Sequence, residues 1–112
     1  MSTSLPREKA VLIVCRALNP FVTFDLVRKT NKGVEPIDGA EEIRIKETLI
    51  NLHMQDEKFG LHVIDFILST IFDLCKQEGF SVTIGKGQLV TGRFTTIDSI
   101  ATRLINTSSP LE

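Results

Sequence analysis

Residues 57–78 place the tightest constraint on what this chain can become. Asp56 can cap a helix start, Glu57 sits in the first turn, Lys76 suits the carboxyl end and Gly79 supplies a left-handed stop. Between those signals, Lys58, His62, Asp65, Ser69, Asp73 and Lys76 recur at spacings of three and four and form one narrow polar stripe. Up to Cys75 the other large side chains are apolar: Phe59, Leu61, Val63, Ile64, Phe66, Ile67, Leu68, Ile71, Phe72 and Leu74. A helix apolar around most of its circumference must be buried on more than one side. At 1.5 Å per residue it is roughly 33 Å long, against roughly 18 Å for a helix of twelve residues. The cover is therefore two flanking helices, a second chain, or both. Phe66, Ile67, Ile71 and Leu74 are expected in the core. Phe59, Val63, Phe66, Leu68 and Phe72 are the candidates for an interface. A spanning segment is not indicated, because His62, Asp65 and Asp73 interrupt 59–75.

The rest of the chain supplies short elements. Residues 7–18 read as a helix that opens after Pro6 and buries Val11, Val14, Cys15 and Leu18. Asn19-Pro20 closes it, since the residue before proline avoids the helical region. Residues 21–29, rich in β-branched and aromatic side chains, read as a strand ending in the turn cluster Thr30-Asn31-Lys32-Gly33. Asp38 and Glu41 have the spacing of a capping box. Residues 41–54 read as a helix, with Glu42 and Lys46 at i,i+4 and Ile45, Leu49 and Leu52 on one face. The competing reading is one bulged strand, with Ile43 and Ile45 before the bulge and Ile50, Leu52 and Met54 after it. Phe80–Ile84 and Gln88–Phe94 read as a hairpin turning at Gly85-Lys86-Gly87. Thr95 or Thr96 caps a final helix whose Ile97, Ile100, Ala101, Leu104 and Ile105 share a face.

These elements predict an α+β fold. It is a single two-layer domain, a small antiparallel sheet packed by a long central helix with flanking terminal helices. The expected limits are a flexible N-terminus over 1–6, one domain over 7–107 and a flexible C-terminus over 108–112, with Leu111-Glu112 a possible cloning scar. One domain fits 112 residues, and 42% hydrophobic with 24% charged residues is ordinary for a globular chain. Thirteen basic residues face fourteen acidic ones, so no global charge drives the chain toward nucleic acid or an anionic membrane. Cys15 and Cys75 both lie in apolar runs and read as reduced core thiols. With no convincing secretion signal, the expected location is cytoplasmic.

Chemistry has little to stand on. His53, Asp56, Glu57, His62 and Asp65 fall within thirteen positions, but no metal-ligand spacing links them. A solvated helix start and stripe explains them, and no metal or cofactor is expected. Gly85-Lys86-Gly87 lacks the longer glycine pattern of a phosphate loop and precedes a predicted strand. Ser69 has no nucleophile elbow around it, and neither cysteine has an activating neighbour in sequence. Arg28, Lys29 and Lys32 cluster at the end of the first predicted strand, and Lys86 and Arg93 decorate the predicted hairpin. With no Tyr or Trp and its Phe residues at core-type positions, the chain offers no base-stacking platform.

Two functional readings result. The first is a non-enzymatic interaction module, an adaptor, chaperone-like or regulatory factor that works as a homodimer or through a protein partner along 57–78. If 41–54 is a strand, the order α-β-β-α-β-β-α resembles that of small dimeric secretion chaperones and adaptor modules. The second is a nucleic-acid-binding regulator. If 41–54 is a helix, the element order over about 7–94 resembles a winged helix with 85–87 as the wing. Arg28, Lys29, Lys32, Lys86 and Arg93 would then meet phosphates. That reading is disfavoured, because its recognition helix would present Asp65 and Asp73 to DNA.

Overall fold

The computed structural model of the chain describes residues 4–22, 25–44, 57–85 and 96–111, and for 57–63 it describes the backbone alone. The fold is α+β, as expected. Its elements are α1 (Arg7–Leu18), β1 (Val27–Thr30), β2 (Gly33–Pro36), α2 (Glu57–Gln77), β3 (Phe80–Ser81), α3 (Ile97–Thr107) and β4 (Ser109–Pro110).

Among the described elements α1 is the helix that meets both α2 and α3 and the β1–β2 hairpin. Its composition explains the position. Small and branched side chains alternate along it, and Ala10, Val11, Ile13, Val14, Cys15, Ala17 and Leu18 are all buried. Alanines let neighbouring backbones approach, while the branched residues fill the space between them. Extended Pro6 precedes the helix, and its carbonyl accepts from the Ala10 N–H at 3.0 Å. At the other end Asn19, Pro20 and Phe21 tighten into a 3-10 turn. The Asn19 side chain then accepts from the Leu26 N–H at 2.7 Å, which holds fully buried Leu26 beneath the start of β1.

The expected strand over 21–29 is corrected. Phe21 belongs to the 3-10 turn, pairing starts only at Val27, and residues 23–24 lie outside the described residues. The strand's partner is β2, which sequence reading missed. Thr30 pairs with Gly33 and Val27 with Pro36, in antiparallel register. Gly33 leaves the turn at φ +117°, a conformation that favours glycine. The capping box at Asp38 and Glu41 does not form. Gly39 occupies the cap position at φ +77°, with no side-chain cap bond, and Ala40–Glu42 make a single 3-10 turn. Ile43 is already extended, so the described start of the predicted 41–54 helix is not α-helical. The remainder, 45–54, lies outside the described residues. Ile43 instead presents its carbonyl to the Ile97 N–H at 3.0 Å, and Arg44 forms a bridge with Thr96.

α2 ends where its sequence signals place the stop. Gly79 takes φ +87°, and the last carbonyls accept from the Glu78 and Gly79 N–H groups. Over 64–77, where its side chains are described, Ile64, Ile67, Leu68, Ile71, Leu74 and Cys75 are buried. Their spacing of three, one, three, three and one makes a single stripe, as expected for one face of a helix laid on a core.

The predicted strand over 80–84 is shorter than expected, ending at Ser81, and its predicted hairpin partner, 88–94, lies outside the described residues. β3 pairs with β4, Phe80 with Pro110 and Ser81 with Ser109. Val82–Gly85 leave the sheet, Ile84 drops into the core, and residues 86–95 lie outside the described residues. Residues 108–110, set outside the fold on sequence grounds, are thus packed onto it, and the Leu111 N–H donates to the Gly79 carbonyl at 2.9 Å. The other chain end is packed as well. Leu5 is buried, and its N–H donates to Ser108 Oγ at 3.0 Å.

α3 carries the best-formed cap. Ser99 N–H donates to Thr96 Oγ1 at 3.1 Å and Thr96 N–H donates to Ser99 Oγ at 2.9 Å, a reciprocal capping box. Arg7 ties α1 to this helix through an ion pair with Asp98 and a hydrogen bond to Thr102 Oγ1 at 3.2 Å.

Candidate interaction surface

The flank of α2 that faces away from the buried stripe holds the most exposed aromatic residue of the described chain. Phe66 precedes fully buried Ile67 by one residue, a rotation of about 100° around the helix. Its side chain is 58% exposed, which corrects its expected place in the core. The physical reason is cover. Among the described elements α1 is the helix that packs against α2, and the buried side of α2 is the stripe through Ile67 and Ile71 rather than the whole circumference.

Phe66 does not stand alone. Phe21 meets it edge to face, with ring centroids 5.7 Å apart and an interplanar angle of 76°. Such a pair is worth about 0.5–1.5 kcal/mol beyond burial. Phe21 reaches it because the 3-10 turn redirects the chain at the end of α1. The Pro20-Phe21 step was the available signal. Proline in a first turn favours a helical turn over the strand that β-propensity suggests. One turn further along α2, Thr70 Oγ1 donates to the Phe66 carbonyl at 2.9 Å, so its side chain is held down along the helix.

The other interface candidates separate. Leu68 is 8% exposed and belongs to the core, which removes it from any surface of the chain. Phe72 is half-buried and packs against the core from the opposite flank. Phe59 and Val63 are helical in backbone, and their side chains lie outside the described residues. Positions 59, 63 and 66 follow spacings of four and three, which puts them on one row of the helix. The polar stripe is as predicted where it is described, with Asp65, Ser69, Asp73 and Lys76 all exposed.

The basic grouping is diluted by acids. Arg28 and Lys29 are exposed on β1 and Lys32 is exposed in the turn. Arg28 lies 3.7 Å from Asp38 and opposite Glu35 in the strand register. Lys86 and Arg93 lie outside the described residues. His53 and Asp56 are likewise outside, and Glu57 and His62 are described in backbone alone. Among the described residues no three His, Cys, Asp or Glu side chains gather as a metal site would need. No helix among them is long and apolar enough to cross a membrane.

Cys15 and Cys75 are unpaired, and both are fully buried. Burial pushes each thiol up to about 11, with the charge of Glu41 adding to it at Cys15 and that of Glu78 at Cys75. A thiol that stays protonated is a poor nucleophile. These are packing residues. Compared with protein-family models, curated proteins and solved structures, the chain gives no match.

Proposed function

We propose that this protein is a non-enzymatic interaction module, an adaptor or regulatory factor that works as a homodimer built along the Phe66 flank of α2. The carrying observation is the exposure of Phe66 on a helix whose other described flanks are accounted for by core and polar stripe. Association would remove Phe66 and the partly exposed Phe21 from water, at roughly 25 cal/mol per Å² of apolar area. A near-balance of thirteen basic and fourteen acidic residues leaves little net repulsion between two copies. A cytoplasmic setting suits two reduced cysteines.

Light scattering over a range of concentrations tests the reading. The expected result is a mass that rises toward twice that of the chain, and that falls back for Phe66→Glu. A wild-type mass that stays monomeric at high concentration, together with a salt-sensitive gel shift of DNA or RNA, would overturn it in favour of a nucleic-acid regulator using Arg28, Lys29 and Lys32.

A further inference from the structure

No further inference is drawn: the strongest candidate, the cleft of about 470 Å³ between α1 and the segment leading out of β2, rimmed by Glu8, Asp38, Glu41 and Glu42, is an acidic cluster beside which nothing else in the structure points to a ligand.

Discussion

The helices α2 and α3 both lean on α1, and they differ in how well their apolar surfaces match that support. α3 has one stripe, Ile97, Ile100, Ala101 and Leu104, all buried, with Ile105 partly so. Its first turn is closed by the Thr96–Ser99 box and its charge at Asp98 is met by Arg7. Little apolar surface is left over. α2 has a comparable stripe against α1, but its sequence is apolar well beyond that stripe, and Phe66 is where the excess emerges. An amphipathic helix is satisfied by one neighbour, whereas an over-apolar one is satisfied only by more cover than α1 gives.

The comparison breaks first if the two sides of α2 prove energetically alike. Ile67→Ala should cost roughly 2–5 kcal/mol, because it opens a cavity in the core. Phe66→Ala, in dilute solution, should cost no more than about 1.5 kcal/mol, mainly the ring contact with Phe21. Urea denaturation of both variants measures this, and equal losses would mean that Phe66 is a core residue after all.

The buried thiols of α1 and α2 probe the core itself. The folded state keeps Cys15 and Cys75 protonated to about pH 11, while the unfolded thiols ionise near the ordinary value of 9.0. The unfolded chain therefore releases protons first. Their contribution to stability is complete below pH 9 and declines between about 9 and 11, at up to about 1.4 kcal/mol per pH unit for each thiol. Stability curves of the wild type and a Cys15→Ala/Cys75→Ala variant should diverge in steepness above pH 9. Parallel curves, or rapid labelling of both thiols without denaturant, would show that the core around them is open.

On the other side of α1, Thr96→Ala should cost about 0.5–2 kcal/mol by removing the cap of α3. Thermal unfolding reads this loss. No change would mean that the bridge between Arg44 and Thr96 carries the helix start unaided. The smallest effect belongs to the hairpin. Arg28→Ala should alter stability by less than about 0.5 kcal/mol, since its pairing with Asp38 is long and exposed. A larger loss in the same urea measurement would give the hairpin a structural weight that its exposed residues do not suggest.

The legible parts of the fold were those written in local punctuation. Pro6 and Asn19-Pro20 bracket α1, Gly79 stops α2 and Thr96 starts α3, each through backbone chemistry contained within a few residues. The strands were harder because their signals are short or distant. Gly33-Val34-Glu35-Pro36 has no alternation and ends in a proline, so only the preceding turn hinted that a return strand must follow. β3 and β4 hold two residues each and meet across α3, a pairing that no local pattern encodes. For the surface, periodicity revealed that α2 has too much apolar circumference, but it could not say which part α1 would cover. That choice sent Leu68 inward and left Phe66 out.

The central claim, that the Phe66 flank is free in the single chain and closed by a second copy, can be read from one probe. The sequence contains no Trp and no Tyr, so a Phe66→Trp variant has a single indole that reports its own surroundings. Its emission should lie at long wavelength in dilute solution and move to shorter wavelength as concentration rises and the dimer forms. Long-wavelength emission that does not change with concentration would contradict the interface, and short-wavelength emission at the lowest concentration would contradict the exposed flank.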